Sequence, residues 1–272
     1  MPEATLAGHR THWRCWGEGG RPLLALHCSL AHSGVWAGVA QQLAGVSLTA
    51  PDLPGHGRSA DWDGSADFHG LTTRIAEALA LALGGGGPVD LLGHSFGATV
   101  ALRLALERPD LLRSLTLVEP VLFAAARAGG GREFAVHEAA LLPFQRAMAA
   151  GDRELAAELF QALWGGDVPF NSLAEPQRRY IADRIHLIAA ADPVLTHDRP
   201  GLLAPGRLES LSLPVLMIEG AKSPAVVASI QRELLGRLPN ARHVVVAGAG
   251  HMAPITHSAP VAAAIAGHLA AR

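Results

Sequence analysis

The sequence predicts an α/β fold: a mostly parallel, doubly wound sheet into which a block of helices is inserted. Three observations carry that reading. Short continuous apolar runs, such as Pro22-Leu23-Leu24-Ala25-Leu26 and Val89-Asp90-Leu91-Leu92, read as strands buried on both faces. Helix-like stretches follow them, and strand–helix alternation implies a parallel sheet wound in the right-handed sense. Between residues 120 and 211 the alternation stops, and only helical patterns remain.

In chain order, residues 12–16 alternate as a strand and end at the turn Gly17-Glu18-Gly19-Gly20. The run at 22–26 opens into His27-Cys28-Ser29-Leu30, and a helix to about residue 43 follows. Residues 46–50 form the next strand, which delivers Pro51-Asp52-Leu53-Pro54-Gly55-His56-Gly57-Arg58-Ser59, too rich in Pro and Gly for regular structure. A helix over 71–83 stops at Gly84-Gly85-Gly86-Gly87, and a strand over 115–119 comes later. Helices are expected over 133–150, 152–164 and 174–191, with Phe144 and Trp164 among their large apolar residues. Alternation resumes with a strand at 214–219, and Ser223-Pro224 reads as an N-cap with Pro at the first helical position. A strand over 243–247, the loop Gly248-Ala249-Gly250-His251 and a helix over 260–271 close the chain.

Hydrophobic residues make up 49% of the 272 and charged residues 17%, which excludes a disordered chain. A net charge of −2 with no basic cluster gives no footprint for nucleic acid or a membrane surface. No apolar run is long enough to span a membrane, and the first residues lack the apolar core of a signal peptide. The expected location is the cytoplasm. Cys15 and Cys28, placed in separate strands, imply no disulfide framework. None of the 14 histidines stands in a metal-ligand spacing, so neither a metal nor a cofactor is expected.

The central stretch is Gly93-His94-Ser95-Phe96-Gly97, entered from a buried strand and left by a helix-like run. G-x-S-x-G in this context puts a serine on a sharp turn, with small neighbours where strand and helix approach. The N–H of Phe96, opening the helix, can face a developing oxyanion.

These pieces in this order resemble the α/β-hydrolase fold superfamily along essentially the whole chain. Three motifs carry the likeness: the turn at Ser95, the segment Pro51–Ser59, close to the D-x-P-G-x-G-x-S pattern of lidded members, and Gly250-His251 before the last helix. The resemblance implies a core of residues 1–119 and 212–272 and a helical lid of residues 120–211. It also implies that Ser95 is a nucleophile and His251 its general base. His27 matches the start of the family's His-Gly oxyanion loop, which makes Ser29 the second backbone donor beside Phe96. His27, Cys28, His94, Phe144 and Trp164 are the candidate pocket residues, with His94 and His56 read as structural or pocket-lining.

Two departures stand out. Cys28 replaces a common Gly, so either the turn has another geometry or the thiol lies near the substrate; a small buried residue is favoured over a reactive one. The acid that many members carry as G-x-x-D is absent from Gly220-Ala221-Lys222-Ser223. Some members take it from the end of the preceding strand, which here is Glu119; otherwise Glu119 is a solvated loop residue or pairs with an arginine under the lid. Glu219 is the poorer choice.

The resemblance implies a serine hydrolase that opens a carboxylic ester or lactone of a small, mainly apolar molecule. Carbon–carbon bond hydrolysis and perhydrolysis use the same triad, and a weakly catalytic ligand-binding protein of this fold is the other alternative. Arg127, Arg132, Arg178 or Arg179 would meet a substrate carboxylate if one pointed inward. Oligomeric state is not legible.

Overall fold

The computed structural model describes residues 2–65, 67–166 and 168–271, so the outermost limits of the expected core, residues 1 and 272, lie outside them. The described chain runs β1 (Glu3–Leu6), β2 (His9–Trp16), β3 (Arg21–Leu26), α1 (Ala37–Ala40), β4 (Val46–Pro51), α2 (Phe68–Gly84), β5 (Val89–His94), α3 (Phe96–Glu107) and β6 (Leu112–Val118). Then come α4 (Phe123–Ala128), α5 (Arg132–Ala149), α6 (Arg153–Trp164), α7 (Glu175–Arg184) and α8 (His186–Leu195). The chain closes with β7 (Val215–Gly220), α9 (Ala225–Arg237), β8 (Ala241–Val246), α10 (Ala253–Thr256) and α11 (Ser258–Ala270).

The strands form one sheet in the order β1-β2-β4-β3-β5-β6-β7-β8. β2 pairs antiparallel with β1 and β4; every later pairing is parallel. Side chains of the central strands alternate between two buried layers. Leu24, Leu26, Leu91, Leu115, Leu117 and Met217 pack under α2, α3 and α9, whereas Leu23, Ala25, Leu92, Val118 and Ile218 pack with Trp36 and α11. Both faces are therefore covered, which is why these strands read as continuous apolar runs. Asp90, buried at the start of β5, is a charged group among them. It accepts from Arg21 (2.6 and 3.0 Å), Arg113 (2.8 Å) and Ser114 (2.6 Å), tying β3, β5 and β6 together at one end.

Four expectations need correction. β1 is an added edge strand, too short and polar to show as a periodic run. The first helix is short: a 3-10 turn over Ser33–Trp36 runs into α1, which ends at Ala40 rather than at about residue 43. Cys28 lies just past β3, in the loop, not in a strand. The helix expected over 174–191 is broken at Ile185, whose side chain drops into a separate apolar cluster with Phe144, Ala147, Ala157 and Phe170. Helices α4 to α8 all fall between β6 and β7, and part of their packing is this cluster of their own.

Candidate active site

Ser95 sits between β5 and α3 at φ 56°, a left-handed conformation that costs a non-glycine residue about 1–3 kcal/mol. The turn is tight enough that a Cβ on Gly97 would stand 2.4 Å from the Leu26 carbonyl oxygen. A Cβ on Gly93 would stand 2.4 Å from the Gly97 carbonyl oxygen, so both positions require glycine. The Ser95 N–H donates to the Val118 carbonyl (2.9 Å), which fixes the turn against β6.

Glu119 repeats this device one strand along. It follows β6 at φ 47°, and its N–H donates to the Ile218 carbonyl of β7 (3.0 Å). Its carboxylate is fully buried and spends both oxygens: Oε1 accepts from the Gly220 N–H (2.5 Å) and the Ser223 hydroxyl, and Oε2 accepts from His251 Nδ1 (2.6 Å). Burial alone would raise this carboxyl. Hydrogen bonds from His251, Ser223 and Gly220 outweigh it and hold Glu119 below the ordinary carboxylate value. Because a carboxylate only accepts, the imidazole proton is assigned to Nδ1, leaving Nε2 to accept from the Ser95 hydroxyl at 2.9 Å. Ser95, His251 and Glu119 thus form one hydrogen-bonded chain with the imidazole in the tautomer that can remove the serine proton. Glu219 faces away from it, 3.1 Å from His243 on β8.

Ser223 does not cap α9. The helix begins at Ala225, Pro224 stays extended at ψ 140°, and the hydroxyl turns to Glu119 instead. A Ser-Pro pair before a helix is a capping signal in sequence, and nothing local distinguishes this other use.

The loop after β3 holds Cys28 and Ser29 at the edge of a cavity of about 330 Å³ that also reaches Ser95 and His251. Leu30, not Cys28, takes the left-handed turn, at φ 60°, so Cys28 fits where the family has Gly. Burial pushes its thiol up to about 12, which disfavours the thiolate. The N–H groups of Phe96 and Ser29 meet no acceptor among the described residues. The Phe96 side chain stacks on Phe68 (5.2 Å) in the core.

Of the five candidate pocket residues, Cys28, Phe144 and Trp164 line the cavity; His27 and His94 do not. Both histidines are completely buried behind it. His27 donates from Nδ1 to the Cys28 carbonyl (2.7 Å) and accepts from the Leu53 N–H (2.9 Å). His94 donates from Nε2 to the His251 carbonyl (2.8 Å). They hold loops, and burial pushes them down to about 4 and about 3, so both are neutral. None of Arg127, Arg132, Arg178 and Arg179 lines the cavity: Arg127 lies over the Phe134 ring and Arg179 pairs with Glu175.

Tyr180, the chain's one tyrosine, was legible only as an apolar position on a helix. Its hydroxyl donates to the Ala31 carbonyl (2.8 Å) and accepts from the Gly57 N–H (2.9 Å), latching α7 to the Ser29 loop and the Pro51–Ser59 segment together. His56 joins the same two segments by accepting from the Leu30 N–H (3.0 Å). Tyr180→Phe leaves a carbonyl and an N–H unpaired and is expected to cost about 1–3 kcal/mol in urea unfolding. Unchanged stability would show that the latch is open in solution.

Residues 21–258 match the family model described as alpha/beta hydrolase fold. The chain belongs to that family. The pimeloyl-[acyl-carrier protein] methyl ester esterase of Aeromonas salmonicida is 33% identical over 246 residues, 88% of this chain and 91% of that one. Rhodomycin D methylesterase DnrP of Streptomyces peucetius is 30% identical over 240 residues, 78% of this chain and 77% of its own. Among solved structures, a loop variant of the haloalkane dehalogenase DbeA from Bradyrhizobium elkanii superposes with a TM-score of 0.75 at 19% identity, over 99% of this chain and 96% of the other. The α/β-hydrolase described here is an esterase-like enzyme. Among its described residues no helix is long and apolar enough to cross a membrane.

Proposed function

We propose that this α/β-hydrolase cleaves a carboxylic ester of a small alcohol, a methyl ester foremost, with a mainly apolar acyl portion, through an acyl-enzyme on Ser95. The observation that carries the reading is the continuous Ser95–His251–Glu119 hydrogen-bonded chain, at 2.9 and 2.6 Å, beside an apolar cavity. The two relatives, methyl ester hydrolases by name, support the choice of alcohol. A purely ligand-binding protein has no use for a buried carboxylate spent on orienting a histidine.

In the reaction, Ser95 Oγ attacks the ester carbonyl while its proton passes to His251 Nε2. The oxyanion takes hydrogen bonds from the Phe96 and Ser29 N–H groups, the former at the N-terminus of α3. His251, held by Glu119, returns the proton to the leaving methoxide, and methanol departs. A water then gives its proton to His251, attacks the acyl-enzyme and frees the acid and Ser95. Helices α4 to α8 act as a lid: Trp164 of α6 packs edgewise on the His251 ring at 4.7 Å and shields it from bulk water.

The test is covalent. An alkyl fluorophosphonate is expected to add once to the intact protein, with the adduct on Ser95, and not to Ser95→Ala. Labelling elsewhere, or none, would overturn the assignment of the nucleophile.

A further inference from the structure

The cavity wall contains one buried polar side chain that the proposed reaction does not use. His137, on α5, lines the cavity and is 7% exposed. Its ring stacks on Phe123 (centroids 4.5 Å) and meets Trp164 edge-on at 5.5 Å, the same Trp164 that touches His251. Neither ring nitrogen has a hydrogen-bond partner among the described residues, and Nε2 is completely covered. An unpaired covered N–H is rarer and costlier than an unpaired acceptor, which puts the imidazole proton on Nδ1. Burial pushes the group down to about 4, so it is a neutral donor at ordinary pH.

The rest of the wall is mostly Val121, Leu141, Phe144, Met148, Phe160 and Ile188, and among the described residues no lysine or arginine lines it. A carboxylate or phosphate on the acyl chain would lose its water there without gaining a counter-charge. Asp192, which also borders the cavity, would repel it. An uncharged oxygen is different: it can accept from the Nδ1–H of His137, which has no partner among the described residues.

We propose that His137 donates a hydrogen bond to a ketone or hydroxyl oxygen on the acyl portion, making uncharged oxo- or hydroxyacyl esters the preferred substrates over plain alkanoyl esters. This rests on the reading of the cavity as the acyl site of an esterase. A site built to hydrogen-bond an oxygen discriminates against the analogue lacking it, because its own polar group is then buried unpaired.

The experiment compares kcat/KM of the full chain on methyl octanoate with a series carrying one oxo group at successive interior carbons, and on monomethyl suberate. At least one oxo position is expected to exceed the parent by about tenfold or more, and the suberate to fall below it. His137→Phe keeps the ring contacts and is expected to bring that ratio close to unity; His137→Asn keeps a donor and is expected to retain part of it. A wild-type enzyme with no preferred oxo position, or a preference that survives in a folded His137→Phe, overturns the proposal. Should His137→Phe fail to fold, the wild-type series and His137→Asn decide. If the wild type hydrolyses none of these esters, the esterase reading fails. Calorimetric affinities of Ser95→Ala for the oxo and plain esters then decide the role of His137 separately, equal affinities counting against it.

Discussion

Ser95→Ala is expected to lower kcat on a methyl ester by a factor on the order of 10⁵–10⁶, and Glu119→Gln added to it is expected to cost nothing further. Alone, Glu119→Gln is expected to lower kcat by about 10⁴. The geometry gives the reason. Glu119 Oε1 receives two donors, Gly220 N–H and Ser223 hydroxyl, so a glutamine must put its carbonyl oxygen there. Its NH₂ then faces His251 Nδ1 and forces that nitrogen to accept. The imidazole proton moves to Nε2, pointing at Ser95, and the base can no longer take the serine proton. Circular dichroism and thermal unfolding should show both variants folded, since the amide fills the volume of the carboxylate. Glu119→Gln within tenfold of wild type would mean that another group orients His251. Undiminished turnover in Ser95→Ala would remove the acyl-enzyme.

The second large effect is on stability in acid. His27, His56, His69 and His94 are completely buried, and burial pushes them down to about 4, 3, 3 and 3. Unfolded, each titrates near 6.5. Above that pH neither state holds the extra proton and the native fold has its full stability. Below it the unfolded chain binds protons that the folded chain refuses, so stability falls until the folded values are reached. Four such groups remove roughly 5 kcal/mol per pH unit, against a typical total of about 5–15 kcal/mol. The protein is therefore expected to unfold within about one to three units below 6.5. Urea unfolding at a series of pH values between neutrality and mild acid should give a slope of about four to five protons, His137 adding to the four. A flat profile would mean that these imidazoles are not held neutral.

The parts of the architecture visible in the sequence are those written in local patterns. Strands buried on both faces appear as apolar runs, and the turn at Ser95 declares itself because two glycines are compelled by backbone contacts. Glu119 was reachable only through the family resemblance, in which some members take the acid from the end of the preceding strand; its left-handed φ has no signature in a Glu-Pro pair. What stayed hidden depends on partners distant in the chain. Ser223 looks like a helix cap until Glu119 arrives to compete for its hydroxyl. His27 and His94 look like pocket residues because a histidine beside a motif carries no mark of which carbonyl it will meet. Tyr180 and His137 are ordinary helix positions until the fold brings Ala31, Gly57, Phe123 and Trp164 to them.

Ser95 and Glu119 belong to a single unit, β5–α3–β6, complete before the chain enters the helices that cover the cavity. The loop after β7 contributes only Gly220 N–H and the Ser223 hydroxyl, and His251 is the one member of the Ser95–His251–Glu119 hydrogen-bonded chain that arrives after the insertion. Ser95 and Glu119 are thus tethered to each other independently of the insertion's length or sequence. Modularity of that kind makes α4 to α8 a replaceable part: grafting another hydrolase's helices between β6 and β7 should alter which acyl groups are accepted while the proton-transfer machinery stays in register.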